Sequence, residues 1–301
     1  MNIKILGSNS ASPAHGRHPS SQMLELDNSF YMIDCGEGTQ FRLIENHLSY
    51  QKIEAIFISH LHGDHYLGLI GLLTTMSMNN REKKLDIIAP KGLKEIIDVQ
   101  CLYSKTILRF PIEFHVIDTL SNQKIWENEL MEVFSIPLVH KIETSGFLFK
   151  EKPKKRNIIK EKIQLLNIAV EDIIAIKNGA DFTDKNGQLH SYESLTYQPH
   201  DPKTYAYCSD TEYSESIIPI VSEIDLLYHE ATFMDVHKAR AAETKHSTSV
   251  QAATIAQKSN VKNLLIGHYS SRYENLDGLL DEAKGVFINT KLALEGDWYS
   301  V

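Results

Sequence analysis

Cysteine is scarce in this chain. Only Cys35, Cys101 and Cys208 occur in 301 residues, too few and too scattered for a disulfide framework or a cysteine-built zinc site. They read as reduced thiols, with Cys35 and Cys208 as core filler. Glycine and proline are sparse too, at 15 and 9 residues, which excludes collagenous and low-complexity chains. Long apolar runs are missing. Stretches such as Leu67 to Leu73 fall far short of the roughly 20 residues that span a bilayer, and the opening MNIKILGSNS lacks the apolar core of a signal peptide. A cytoplasmic protein with no membrane partner is expected. Positive charge is in deficit: 31 Lys and Arg against 39 Asp and Glu give a net −8. That balance excludes binding of nucleic acid by a general positive field, so DNA is not an expected partner and any polyanion must find local positive charge.

What remains is the composition of a folded protein, 42% hydrophobic and 23% charged. Short β-rich runs recur from end to end: Asn2 to Leu6, Phe30 to Ile33, Ile53 to Ile58, Leu85 to Ala89, Glu113 to Ile117, Leu130 to Ile136, Gly146 to Phe149, Thr204 to Cys208, Asp225 to Tyr228, Asn263 to Ile266 and Lys291 to Glu295. Between them apolar residues recur at helical spacing in Tyr66 to Met78, Leu93 to Tyr103, Thr248 to Lys258 and Leu276 to Phe287. This is an α/β pattern, with helices covering sheets. No repeat or sharp composition shift divides it, so residues 1–301 read as one domain. One segment departs from the rest. Lys150 to Lys162 carries seven Lys or Arg against two Glu, and loop signals at Asn178-Gly179, Asn186-Gly187 and Pro199 follow. Residues 150–200 read as an insertion within that domain, with the basic run either a solvated face or a site for a polyanion.

The chemistry concentrates at His60-Leu-His62-Gly-Asp64-His65, where three imidazoles and a carboxylate fall within six residues directly after the apolar run Ile53 to Ile58. Packing alone does not account for such density. Imidazole and carboxylate together suit zinc or a similar divalent ion. The ligands are expected in a loop, with a helix following from Tyr66. Apolar runs end in a single ligand-type residue three more times, at His140, Asp210 and His268. Seven ligands exceed what one zinc accepts, so a binuclear site is expected. In the favoured assignment His60, His62 and His140 hold one ion, Asp64, His65 and His268 hold the other, and Asp210 bridges. His15, His18, His47, His115, His190, His200, His229 and His237 carry no case for ligation.

The His60 to His65 cluster with its three distant partners resembles the metallo-β-lactamase superfamily, which implies an αββα sandwich. Narrower motifs, Ile33-Asp34-Cys35-Gly36-Glu37-Gly38-Thr39-Gln40, Tyr228-His229-Glu230-Ala231-Thr232-Phe233, His246-Ser247-Thr248 and His268-Tyr269-Ser270-Ser271-Arg272-Tyr273, together resemble the ribonuclease Z family. The likeness runs from Leu6-Gly7-Ser8, with Pro13 and Arg17, to the last helix.

That resemblance implies a zinc-dependent endoribonuclease that removes the 3′ trailer of precursor tRNA by attack of a metal-bridged hydroxide on phosphorus. It leaves a 3′-hydroxyl on the tRNA and a 5′-phosphate on the trailer. Two Zn²⁺ per subunit are implied, with Mn²⁺ or another divalent ion as substitutes, and so is a homodimer. Residues 150–200 become a tRNA-binding arm, although the Gly-Pro pair and Gly-Lys-Leu-Lys run common in bacterial arms are absent. Asp64 is the proton acceptor as well as a ligand, and His246 is the proton donor to the leaving oxygen, oriented by Glu230. Asp34 is expected to hold a ligand imidazole from behind. Lys154, Lys155, Arg156 and Arg272 are candidate substrate contacts, and Arg17 either contacts phosphate or orders the N-terminal loop. The alternative reading is a small phosphodiester or thioester hydrolase of the same fold.

Overall fold

Period-two alternation of apolar side chains builds two seven-stranded sheets in the computed structural model, which describes residues Met1–Val301. The chain divides into two compact units, Met1–Lys150 with Lys203–Val301, and Glu151–Pro202. In the larger unit, β1 (Asn2–Gly7), β2 (Ser21–Leu26) and β3 (Ser29–Cys35) form an antiparallel meander. Helix α1 (Thr39–Glu45) leads to β4 (Ile53–Phe57), followed by α2 (Gly63–Tyr66), α3 (Leu69–Met78), β5 (Leu85–Ala89), α4 (Leu93–Ser104) and β6 (Ile112–Val116). From β3 to β6 the pairing is parallel. The second sheet begins with β7 (Lys124–Glu127), β8 (Met131–Pro137) and β9 (Ser145–Glu151).

The smaller unit holds β10 (Asn157–Ile158), α5 (Lys160–Leu166), α6 (Val170–Lys177), β11 (Phe182–Thr183), β12 (Leu189–His190), α7 (Tyr192–Leu195) and β13 (Thr196–Tyr197). Its core is thin. Ile168, Ile176 and Leu195 are buried, with Ile158, Ile163, Leu166, Ile173 and Phe182 packed around them. The chain then completes the larger unit through β14 (Thr204–Cys208), β15 (Leu226–Glu230), α8 (Lys238–Thr244), α9 (Ser249–Lys258), β16 (Asn263–Gly267), α10 (Asp277–Val286), β17 (Thr290–Leu292) and β18 (Trp298–Ser300).

Strand alternation assigns each side chain to a layer. Along β14, Tyr205 and Tyr207 enter the core between the sheets, while Ala206 and Cys208 face the helix side. The inner core is aromatic: Phe57 on β4 meets Trp126, Phe147 and Phe149 at ring distances of 5.7, 5.5 and 5.2 Å. Flanking cores bury the inner faces of α3 and α4 against the first sheet and of α9 and α10 against the second. The result is the αββα layering expected, and no helix is long and apolar enough to cross a membrane.

Several sequence expectations need correction. Tyr66 to Met78 is not one helix, because Leu67 and Gly68 separate α2 from α3. A Cβ on Gly68 would lie 2.1 Å from the Gly36 carbonyl oxygen, so this close crossing requires glycine. The last predicted strand, Lys291 to Glu295, is observed as Thr290–Leu292. Strands β2, β7 and β18 and helices α1 and α8 had no sequence prediction. β18 is only three residues long and is fixed by antiparallel pairing with β1, a contact that no local pattern announces.

Candidate metal centre

The parallel strands β4, β14, β15 and β16 deliver their last residues toward one set of loops. His60 and His62 follow β4, whereas Asp64 and His65 lie within α2, a correction to the expected ligand loop. His140 follows β8, Asp210 follows β14 and His268 follows β16 directly. All seven expected ligands converge, in two groups. His60, His62, His140 and Asp210 present ligand atoms within 4.8 Å of one another, and so do Asp64, His65 and His268.

Asp210 faces both groups with different oxygens. Its Oδ2 lies 3.6 Å from His60 Nε2 and 3.7 Å from His140 Nε2. Its Oδ1 lies 3.2 Å from His268 Nε2 and 3.4 Å from His65 Nε2. Asp64 Oδ2 sits 3.5 Å from His65 Nε2 and 3.6 Å from His268 Nε2 and accepts a hydrogen bond from the Ala11 amide at 2.7 Å.

The nitrogens themselves show whether a metal fits. His140 Nδ1 is 2.8 Å from the Lys245 carbonyl oxygen, an acceptor only, so Nδ1 carries the proton and Nε2 offers its lone pair. That Nε2 lies 3.2 Å from His62 Nδ1, which in turn is 3.1 Å from His60 Nε2. In a tetrahedral zinc site with bonds of about 2.0–2.1 Å, nitrogens would sit roughly 3.3 Å apart. In the other group, His65 Nε2 and His268 Nε2 are buried without any hydrogen-bond partner. Orphaned imidazole nitrogens turned toward carboxylates 3.2 to 3.6 Å away suit a cation between them. The arrangement fits a two-metal site.

Electrostatics agree. Burial holds His60 well below its ordinary pKa, and it lowers His62 and His140 too, which keeps these rings neutral. Burial also opposes a charge on His65, but Asp210, Asp34 and Asp64 outweigh it and raise its proton affinity. A field that favours a proton there favours a metal cation as well. Asp64, despite burial, is held far below the carboxylate range by His65 and His268. Such a group is a poor proton acceptor and suits a cation beside it.

Outer contacts fix the ligands. Asp34 is fully buried, and its Oδ2 accepts from His65 Nδ1 at 2.7 Å and from Tyr207 Oη at 2.7 Å, while Oδ1 accepts from the Ser59 amide at 2.7 Å. An ionised carboxylate buried alone would cost several kcal/mol; these donors offset that cost. Glu230 is likewise buried and accepts from His246 Nδ1 at 2.8 Å, from the Thr211 amide at 2.9 Å and from Thr232 Oγ1 at 2.7 Å. Burial pulls the His246 imidazole down, yet Glu230 prevails and lifts its pKa to about 9. Two residues on, Thr248 caps α9 in a capping box with Gln251, and the His246 ring stays on Glu230. Asp34, Lys245 and His268 all occupy left-handed backbone, at φ of 56°, 60° and 60°. This costs each roughly 1–2 kcal/mol and marks how strictly the site sets their direction.

A cavity of about 420 Å³ opens at the site, lined by Ser10, Pro13, Glu37, His62, Lys141 and His246 among others. Lys141 is a basic lining residue that the sequence reading missed, although it adjoins His140. Arg17 orders the N-terminal loop, donating to Asn9 Oδ1 at 2.9 Å and to the Tyr273 and Glu274 carbonyls. Arg272 lies over the Phe233 ring at 4.9 Å, and that ring is 6.2 Å from His246. In the smaller unit Arg156 donates through Nε and Nη2 to Thr196 and covers the Tyr192 ring, so its guanidinium is held by the fold. Lys155 Nζ donates to Asn178 Oδ1 at 3.1 Å, and the Lys154 carbonyl accepts from Gln198 at 3.2 Å. Sequence alone also could not show the Ala11 amide and the Lys245 carbonyl, because backbone groups carry no residue signature. Asp86, Glu113 and His115 form another cluster, but Lys84 Nζ already sits 2.9 Å from Asp86 and 2.8 Å from Glu113.

Comparison with known proteins agrees with this geometry. A family model described as Anti-Pycsar protein Apyc1 matches residues 1–153, the half that holds His60 to His65 and His140. Ribonuclease Z of Parabacteroides distasonis is 44% identical over 100% of this chain and 99% of its own length. Among solved structures, human tRNase Z, short form, aligns with a TM-score of 0.72 at 25% identity, covering 100% of this chain and 99% of that one. The metallo-β-lactamase fold protein YhfI of Bacillus subtilis aligns with a TM-score of 0.69 at 18% identity, over 99% and 98% of the two chains, and supports the fold alone.

Proposed function

The chain belongs to the ribonuclease Z family, with the Apyc1 match describing its metal-binding first half, and on that premise we propose that it removes the 3′ trailer from precursor tRNA. The cut leaves a 3′-hydroxyl on the tRNA and a 5′-phosphate on the trailer. The observation that carries the reading is the convergence of seven ligand-type side chains, with Asp210 turned to both groups and the His246–Glu230 pair beside them. His60, His62 and His140 would hold one ion, Asp64, His65 and His268 the other, with Asp210 shared. Imidazole and carboxylate donors favour zinc, with manganese as a substitute. Two such ions would supply a water activated at neutral pH and neutralise charge on the phosphoryl oxygens.

The remaining steps fall to side chains. His246, kept protonated by Glu230 at 2.8 Å, donates its proton to the departing 3′ oxygen. Asp34 fixes His65 so that Nε2 faces inward. Asp64 keeps one oxygen on the Ala11 amide and accepts the water's proton only as a weak base. Lys141 and Arg272 supply positive charge for the substrate backbone.

We assign the Glu151–Pro202 unit as the tRNA-binding arm. Its support is the surplus of Lys and Arg over acidic residues between Lys150 and Lys162, with Lys154 and Lys155 as contacts to folded RNA read by shape. The enzyme acts in the cytoplasm as a homodimer. Phe41 and Ile44 on α1, Met78 on α3 and Leu102 and Tyr103 on α4 are exposed apolar side chains available to such an interface.

The test is to map the cut on a labelled precursor tRNA. A single break after the mature 3′ region, with a 3′-hydroxyl on the 5′ product, is expected. No cleavage of the precursor, with turnover of S-lactoylglutathione or a cyclic nucleotide instead, would overturn the proposal.

A further inference from the structure

Two buried hydroxyls occupy matching positions on the two sheets. Ser59 follows β4 of the first sheet and Thr232 follows β15 of the second, and they are 0% and 2% exposed. Ser59 Oγ lies 3.0 Å from His60 Nδ1 and 2.9 Å from Asp34 Oδ2. Thr232 Oγ1 lies 3.0 Å from His268 Nδ1 and 2.7 Å from Glu230 Oε2. Each carboxylate also holds a second imidazole directly, His65 for Asp34 at 2.7 Å and His246 for Glu230 at 2.8 Å. The parallel extends to the weaker contact, since each hydroxyl is 3.4 Å from that directly held ring.

Hydrogen-bond chemistry gives the pattern a direction. A hydroxyl has one proton, and an ionised carboxylate only accepts, so each hydroxyl donates to its carboxylate. Its lone pair must then receive the Nδ1 proton of His60 or His268. That fixes both rings as the Nδ1–H tautomer and leaves Nε2 to face the centre.

We propose that Ser59 and Thr232 are a matched pair of positioning residues, each setting the tautomer of one ligand imidazole and tying it to a buried carboxylate that steers another catalytic or ligand ring. The two ties join different parts of the machinery. Ser59 connects His60 of one ligand group with Asp34, which holds His65 of the other. Thr232 connects His268 with the Glu230–His246 pair. Loss of the Ser59 hydroxyl therefore loosens both ion positions. Loss of the Thr232 hydroxyl loosens one ion position and the proton donor.

This inference rests on the two-metal reading of the site, and the test separates the two. Zinc(II) is titrated into metal-stripped full-length chain against a chromophoric chelator, for the wild type and for Ser59→Ala, Thr232→Val and Thr232→Ser. Thermal unfolding of each metal-free variant verifies that it folds. The wild type takes up two ions. Ser59→Ala weakens both binding steps, and Thr232→Val weakens one, each by roughly 10- to 100-fold as expected for outer partners of metal ligands. Thr232→Ser restores the hydroxyl and stays close to wild type. Nitrogen-15 spectra of histidine-labelled, zinc-loaded protein should show Nδ1–H signals for His60 and His268 in the wild type, with the His268 signal shifted in Thr232→Val. Folded variants that bind two ions with wild-type affinity, or a Thr232→Ser variant as weak as Thr232→Val, would overturn the pair. If Ser59→Ala fails to fold without metal, the contrast between valine and serine at position 232 decides alone. A wild type that takes up fewer than two ions would overturn the metal-site reading itself.

Discussion

The centre of the larger unit and the Glu151–Pro202 unit are held together in different ways. At the centre most ligand-type side chains have a second partner: His65 has Asp34, His140 has the Lys245 carbonyl, His268 has Thr232 and Asp64 has the Ala11 amide. In the smaller unit, three buried aliphatic side chains and two-residue strand pairs hold the fold. The difference suits the roles proposed for each. Metal ligands need bearings fixed to fractions of an ångström, which only buried, fully partnered groups provide. Gripping a charged backbone needs reach and positive charge, which an exposed surface provides without a deep core.

The contrast can be broken first at the centre. His246→Ala should slow precursor cleavage by about 10²- to 10⁴-fold, the usual worth of a positioned general acid, while zinc analysis still finds two ions. Parental cleavage rates would remove His246 from the mechanism. A smaller effect is expected from the other region. Lys150 and Thr204 are direct partners across β9 and β14, so Glu151–Pro202 can be replaced by a short glycine-serine linker without stretching the sheet. Precursor cleavage should fall by about 100-fold, through lost phosphate contacts, with hydrolysis of bis-p-nitrophenyl phosphate close to parental. Equal loss of both activities would mean that the two regions are not separable. The smallest change sharpens the comparison within the arm. The double variant Lys154→Gln, Lys155→Gln should reduce the slope of log affinity against log salt by about 1.5, two phosphate contacts' worth. An unchanged slope would place the RNA elsewhere.

Legibility in the sequence divided along physical lines. The His60 to His65 cluster was readable because four ligand types within six residues have no packing explanation. His140, Asp210 and His268 were readable because each ends an apolar run. Layering followed from alternation, as in Tyr205 and Tyr207 against Ala206 and Cys208. What escaped was set by tertiary approach. The break between α2 and α3 exists because Gly68 crosses the Cys35 and Gly36 carbonyls. The Lys245 carbonyl reaches His140 through a left-handed turn, and β18 exists because β1 pairs with it. Arg156 reads as one more charge in a basic run, and the sequence carries no sign that its guanidinium is bound to Thr196. Charge in a sequence states a sign, and only the fold states whether the group is engaged.

The central claim is that residues from four strand ends seat two cations around one reacting phosphate. Crystals of zinc-loaded protein, measured on both sides of the zinc absorption edge, test it directly. The account predicts two anomalous peaks per chain, one among His60, His62 and His140 and one among Asp64, His65 and His268, with Asp210 touching both. A single peak, or peaks away from these side chains, would contradict it.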